Sequence, residues 1–225
     1  MEIKEKQLQY LDLILEKNKS INLTAIKNRD EAIIKHLKDS LFITSLSEYI
    51  KADTVIDIGT GAGFPGAILA IESPKKQFTL VDSTNKKLKV INEISEELGI
   101  KNIKTVHARA EELAKKTEYK EKYDLCVSRA VASMRKLLIW TMPFVKKGGY
   151  FIAYKGEDYT NELKDIHKEL KKYNARVEKI HKINNDKEIE LVSENSKNKE
   201  NNLMRENILQ NQDISGHVLI VIKRL

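Results

Sequence analysis

Two kinds of hydrophobic spacing divide the chain. Over residues 2–17, Leu8, Leu11 and Leu15 recur at helical intervals among Lys, Glu and Gln, which predicts an amphipathic helix. After Asn22-Leu-Thr-Ala-Ile26, Asp30 stands where it can cap a second helix with Ile34, Leu37 and Leu41 as its apolar stripe. From residue 54 the pattern changes to short apolar runs separated by helical segments, the alternation of βα units on a parallel sheet. The runs at 54–58, 77–82, 103–107, 123–128, 150–155, 176–181 and 217–222 predict seven strands. Leu88, Ile91, Ile94 and Leu98 mark one intervening helix ending at Gly99, and Leu163, Ile166, Leu170 and Tyr173 mark another. Lys146-Lys-Gly-Gly149 punctuates the entry to the fifth strand, and the last two strands read as an antiparallel pair joined by a long polar loop.

The pattern predicts a helical N-terminal extension at 1–50, packed on an α/β domain at 51–225 with a loop at about 183–216. A loop of that length is uncommon in a compact domain and reads as an insertion. The 225 residues suffice for a full core. The sequence has no apolar run near the ~20 residues that span a bilayer and no leader at Met1, so a cytoplasmic protein, away from membranes, is expected. The single cysteine, Cys126, lies in an apolar run, which excludes an internal disulfide and points to a buried small side chain rather than a metal ligand. No metal is expected.

Forty Lys and Arg against 33 Asp and Glu give a net charge of +7. The stretch 182–216 carries five basic and seven acidic residues, so the excess sits on the body of the protein. That balance is compatible with an anionic polymer as partner.

Candidate chemistry centres on Thr54-Val-Ile-Asp-Ile-Gly-Thr-Gly-Ala-Gly-Phe-Pro-Gly66, an apolar strand running into a glycine-rich turn and a helix start. This is the shape of a nucleotide cradle at the C-terminal edge of a parallel sheet. Gly61-Ala-Gly63-Phe-Pro-Gly66 also satisfies the dinucleotide expression G-x-G-x-x-G, a weak match by itself. Asp57 argues for a different ligand. A carboxylate facing the mouth would repel a pyrophosphate but would suit the amino and sulfonium groups of S-adenosylmethionine. Asp82, about 20 residues after the glycines, is placed for ribose hydroxyls, with Ser83 and Thr84 as small polar caps beside it. Glu111, in Ala108-Arg-Ala-Glu-Glu112, is placed for the adenine edge.

Asn22-Leu-Thr, His36-Leu-x-Asp39-Ser-Leu, Asp57-Ile-Gly-Thr-Gly-Ala-Gly-Phe-Pro-Gly66, Asp82-Ser-x-x-Lys-Lys87, Arg109-Ala-Glu111, Ser128-Arg-Ala130 and Lys155-Gly156 follow one another in the chain. In order and spacing they resemble the bacterial 16S ribosomal RNA guanine-N7 methyltransferases, also called glucose-inhibited division protein B. The resemblance spans residues 8 to 156. It implies a class I S-adenosylmethionine-dependent methyltransferase fold: a Rossmann-like, mostly parallel seven-stranded sheet with one antiparallel strand. It further implies that Gly59, Gly61, Gly63 and Phe64 cradle the cofactor, Asp82 to Thr84 hold its ribose, and Ala110 with Glu111 hold its adenine. Arg129 would sit beside the methionine end and the target base, with Asn22, His36, Asp39, Arg109 and Lys155 around the mouth. The implied substrate is 16S rRNA or the small ribosomal subunit, modified by a monomer. The chain departs from the family pattern at Lys17, at Lys87 and in lacking a basic segment before the last strand.

Two other routes fit the residues less well. Methylation of an exocyclic amine in this fold uses an Asn- or Asp-Pro-Pro-aromatic stretch after the fourth strand, where Ser128-Arg-Ala-Val131 stands here. Pyrimidine C5 methylation needs a cysteine nucleophile. A small-molecule methyltransferase, a non-catalytic RNA-binding module and a dinucleotide oxidoreductase remain the alternatives.

Overall fold

A computed structural model describes residues 2–129, 132–156, 158–183, 189–191 and 217–225. Among the described residues its centre is one sheet of eight strands: β1 Thr54–Ile58, β2 Gln77–Asp82, β3 Ile103–His107, β4 Tyr123–Arg129, β5 Val145–Lys155, β6 Ala175–Ile183, β7 Ile189–Leu191 and β8 His217–Arg224. They lie in the order β3-β2-β1-β4-β5-β8-β6-β7. Neighbours among β1 to β5 are parallel, and β8 runs antiparallel between β5 and β6. All seven predicted strands are present. The short β7, antiparallel to β6, falls within the segment read as loop; the rest of that segment, 184–188 and 192–216, lies outside the described residues.

Strands with apolar side chains on both sides need cover on both faces. One face, with Val55, Leu80, Leu125, Val127, Leu219 and Val221, packs against the N-terminal helices and the helices Gly66–Glu72 and Asn85–Glu97. The other, with Ile56, Ile58, Cys126, Phe151, Ile220 and Ile222, is covered by the helix Met134–Thr141 and two short helices, Tyr159–Leu163 and His167–Lys172. The predicted single helix over 163–173 is therefore broken, with the fully buried Ile166 at the joint. The predicted pause at Lys146 to Gly149 is instead inside β5. The register slips there, and a Cβ on Gly149 would come within 2.7 Å of the Asp124 carbonyl.

The helix α1, Ile3–Asn18, turns Gln7, Tyr10, Leu11 and Ile14 inward, while Leu8 and Leu15 are only partly buried. Its core face is thus rotated from the predicted leucine stripe, because Tyr10 reaches across to the glycine-rich turn. The second helical run is capped by Asn28, whose side chain accepts from the Glu31 N–H at 2.9 Å, and not by Asp30. It passes through a six-residue π-helical stretch, Ile33–Lys38. That widening turns His36, Leu37 and Asp39 inward and leaves Ile34 and Leu41 half-buried.

Candidate active site

The C-terminal ends of β1 and β4 form the point where the strand order reverses, the usual crevice for ligands in such sheets. Leaving β1, the chain takes positive φ at Gly59, Gly61 and Gly63 (75°, 59° and 92°). A Cβ on Gly61 would meet nothing within 4 Å, so the turn presents bare backbone to open space. A Cβ on Gly63 would stand 2.1 Å from the Tyr10 hydroxyl, which donates to the Ala62 carbonyl at 2.9 Å. The N-terminal helix therefore braces the turn from behind.

Asp57 does not face the mouth as the sequence reading had it. It is wholly buried beneath the turn, where Oδ2 accepts from the Thr60 hydroxyl at 2.7 Å and the Gly66 N–H at 3.0 Å. Its Oδ1 is buried without a hydrogen-bond partner among the described residues. Burial pushes this carboxyl up to about 6, against the opposing pull of Thr60, Gly66 and the Arg129 charge. An orphaned acceptor in a buried site is a demand for a donor.

Asp82 ends β2 and ties both sides of the crevice, accepting from the Gly61 N–H at 2.9 Å and from the Thr84 N–H at 2.8 Å. Ser83 and Thr84 are exposed beside it, and the Thr84 side chain makes no cap bond to the helix it precedes. Ala110 is buried and Glu111 exposed at the start of a short helix after β3, with Arg109 exposed at the N-cap position.

The densest cluster surrounds Arg129 at the end of β4. Nη1 of its guanidinium donates to Asp39 Oδ2 and to the Lys35 carbonyl, each at 2.8 Å, and Nη2 donates to His36 Nδ1 at 3.0 Å. The π-helical turn makes room for this. The Asp39 N–H bonds back to Ile34 O, five residues earlier, and Lys35 O accepts from the arginine. Because a guanidinium only donates, His36 Nδ1 must be the bare nitrogen. The proton then sits on Nε2, 2.7 Å from the Thr24 hydroxyl. Burial first, then the Arg129 charge, lowers His36 to about 4, which keeps the ring neutral at pH 7. Phe64 of the glycine-rich turn lies under the group, stacked on His36 and 5.7 Å from the Arg129 guanidinium carbon.

The remaining predicted residues are less converged. Asn22 is exposed on the turn after α1. Lys155 does not line an open mouth, since its ammonium donates to Glu162 Oε2 at 2.6 Å and to the Ala132 carbonyl at 2.7 Å, pinning the segment after β4. Asp39 is 2 % exposed with both oxygens engaged, Oδ2 by Arg129 and Oδ1 by His217 Nδ1 at 2.7 Å, so it is not a free acceptor for a base. Sequence reasoning missed Tyr10 and His217. Tyr10 breaks the leucine stripe of its helix, which was a readable signal. His217 opens an apolar strand 178 residues from its partner and gave none. Among the described residues no group of three or more His, Cys, Asp or Glu is placed to hold a metal ion, and no helix is long and apolar enough to cross a membrane.

A family model described as rRNA small subunit methyltransferase G matches residues 3–192. The chain belongs to that family. It is 45% identical over 162 residues to the ribosomal RNA small subunit methyltransferase G of Alkaliphilus metalliredigens (strain QYMF), covering 72% of this chain and 67% of the relative. It is 42% identical over 175 residues to the protein of the same name from Thermoanaerobacter sp. (strain X514), covering 78% and 73%. Among solved structures, a SAM-dependent O-methyltransferase from Thermotoga maritima shares the fold at a TM-score of 0.55 and 16% identity, over 94% of this chain and 71% of that one. P. horikoshii TYW2, solved in complex with MeSAdo, aligns at a TM-score of 0.54 and 12% identity over 84% of this chain and 62% of that one. The fold is that of the class I S-adenosylmethionine-dependent methyltransferases, and the crevice above β1 and β4 is its candidate active site.

The residues at the crevice fit S-adenosylmethionine. The sulfonium and amino groups are cations, and the orphaned Asp57 Oδ1 lies under a turn whose Gly61 leaves space for a ligand. A second carboxylate, Asp82, borders the same turn.

Proposed function

We propose that the protein transfers the methyl group of S-adenosylmethionine to N7 of a guanine in an exposed loop of 16S rRNA, acting in the cytoplasm on the RNA alone or within the small subunit. Gly59, Gly61, Gly63 and Phe64 hold the cofactor, with Asp82 to Thr84 at its ribose and Ala110 and Glu111 at its adenine. Asp57 acts from below, as a buried counter-charge.

The observation that carries this reading is what stands at the end of β4. Cys126, the chain's one cysteine, is fully buried, and burial raises its thiol well above the ordinary value, so it is no nucleophile for pyrimidine C5. The sequence after Ser128 lacks the Asn- or Asp-Pro-Pro-aromatic arrangement for an exocyclic amine, and has Arg129 there instead. Guanine N7 needs neither device. Its exposed lone pair forms the new N–C bond as the methyl–sulfur bond breaks, the electron pair stays on sulfur, and the guanine is left positively charged.

S-adenosylmethionine supplies an electrophilic methyl group. The protein's part is alignment and electrostatics. Arg129 has used three of its five N–H groups on Asp39, Lys35 and His36, leaving two to donate to guanine O6 or a phosphate. Asn22, exposed on the turn after α1, is the acceptor for the guanine N1 and N2 hydrogens; Asp39 and neutral His36 fix Arg129. Helical RNA hides N7 in a deep, narrow groove, which is why the target is a loop or open junction.

The test is labelled S-adenosylmethionine offered to 16S rRNA and small subunits from cells lacking the protein, followed by nucleoside digestion. Label in 7-methylguanosine is expected. Label in another nucleoside, or none, overturns the reading.

A further inference from the structure

His217, the first residue of β8, reaches Asp39 from the side opposite Arg129. Its Nδ1 is 2.7 Å from Asp39 Oδ1, while Arg129 Nη1 is 2.8 Å from Oδ2. Asp39 is 2 % exposed and belongs to the helical run after residue 28; Arg129 belongs to β4. A carboxylate gripped by one donor can rotate about its Cβ–Cγ bond and carry that donor with it. A carboxylate gripped on both oxygens from two strands cannot, and Arg129 is then fixed by its partner's partner.

From this geometry we infer that His217 is a positioning residue for methyl transfer: it locks the Asp39 carboxylate, and Asp39 in turn sets the Arg129 guanidinium toward the target base. The inference rests on the reading of Arg129 as the base-contacting group. His217 touches neither cofactor nor base in this scheme. Its side chain is 39% exposed, so its truncation leaves the core intact.

The charged groups that face His217 are Asp39, Arg129 and Lys35. The hydrogen bond to Asp39 raises the imidazole above its usual value, against burial and the two cations. The charged ring donates to Asp39 more strongly than the neutral one, and the neutral ring can also move its proton to Nε2 and release the carboxylate. The lock is therefore firm at low pH and loosens as pH rises through the raised value.

Asparagine separates geometry from titration, because its amide nitrogen occupies nearly the place of Nδ1 and donates at every pH. His217→Ala should lower kcat roughly ten- to a hundredfold, the scale expected when a catalytic group is displaced by about 1 Å. Its affinity for S-adenosylmethionine should stay within about twofold, and its melting temperature should fall by only a few degrees, the cost of leaving Asp39 Oδ1 without its donor. His217→Asn should recover most of kcat. Wild-type kcat should fall on the alkaline side of a pH profile, where His217→Asn stays flat.

A second measurement does not depend on the substrate. The chain has five histidines, so imidazole 15N shifts can be assigned. In wild type His36 should report a bare Nδ1 and a protonated Nε2. In His217→Ala that signature should average, as Arg129 no longer holds it, and in His217→Asn it should return. Unchanged kcat in His217→Ala, an identical alkaline limb in His217→Asn, or an unmoved His36 signature would overturn the inference. If wild type gives no 7-methylguanosine, the functional reading falls instead, and the His36 signature still decides whether His217 positions Arg129.

Discussion

The imidazole of His36 lies parallel to the ring of Phe64, centroids 4.5 Å apart at an interplanar angle of 11°. One ring belongs to the N-terminal helical run and the other to the glycine-rich turn. Tyr10 meets the same Phe64 edge-on at 5.9 Å, and Arg129 lies over it. The aromatic side chain of the glycine-rich turn is thus enclosed by two helical elements and the end of β4. Phe64 links the two halves of the site by contact.

Arg129→Ala should abolish methyl transfer, by roughly a hundredfold or more, on the scale of losing one preorganised electrostatic donor. S-adenosylmethionine binding should weaken only a few-fold. Arg129→Lys keeps the charge but cannot span Asp39, Lys35 O and His36 Nδ1 together, so it should rescue little. Single-turnover rates with RNA, set beside calorimetric cofactor titrations, check both halves. Turnover unchanged in Arg129→Ala would remove the arginine from the mechanism.

Gly61 and Gly63 should fail in different ways. Both have positive φ, so an alanine at either costs about 1 to 2 kcal/mol of backbone strain. At Gly61 the added Cβ meets nothing of the protein, and the variant should fold and lose cofactor binding because the methyl fills ligand space. At Gly63 it collides with the Tyr10 hydroxyl and with Ala67, and the larger effect should be on thermal stability. Melting curves with and without S-adenosylmethionine distinguish them. A Gly61→Ala protein that still gains stability from the cofactor would show that the ligand does not pass over this glycine.

The sheet was legible because parallel strands buried on both faces read as apolar runs, and turn residues bounded them. The glycine-rich turn and the place of Asp82 beside it were legible for a similar reason, since both follow from local backbone geometry. Asp57 was assigned the right neighbourhood and the wrong exposure: its spacing from Gly59 is local, but its burial depends on Leu80 and Gly66 closing over it. The Asn28 cap and the break at Ile166 fell within a few residues of the predicted features and turned on which side chain the fold buried. His217 could not be found, because its contact with Asp39 exists only when β8 is inserted between β5 and β6.

Cofactor affinity should depend on pH through Asp57. Its carboxyl is raised to about 6, so in the ligand-free protein it is largely protonated below that pH and ionised above it. A cationic ligand favours the ionised form. Binding should therefore weaken as pH falls through about 6 and level off above 7. Asp57→Asn should bind weakly and lack this dependence. Calorimetric titrations between pH 5 and 8 measure it, and proton release on binding near pH 6 is the accompanying sign. A pH-independent wild-type affinity would mean that Asp57 does not serve as the counter-charge.

Stability should carry two opposing pH dependences that only variants reveal. His36 is lowered to about 4 from its usual 6.5. Above 6.5 it is neutral folded and unfolded and takes nothing from stability. As pH falls toward 4 the unfolded chain binds a proton that the folded one refuses, and stability is lost. Asp57 is raised from 3.8 to about 6. Below 3.8 it is protonated in both states, and as pH rises toward 6 the unfolded chain ionises first, so stability is lost in the other direction. Each shift corresponds to roughly 3 kcal/mol at full extent, and across the shared window from about pH 4 to 6 they nearly cancel. Relative to wild type, Asp57→Asn should lose stability on acidification through that window, and His36→Gln should gain it. The asparagine and glutamine add packing costs of their own, but those costs do not vary with pH and leave the slopes intact. Chemical denaturation at pH 4, 5, 6 and 7 gives the slopes directly. Parallel lines for the three proteins would refute the assignment of either shift.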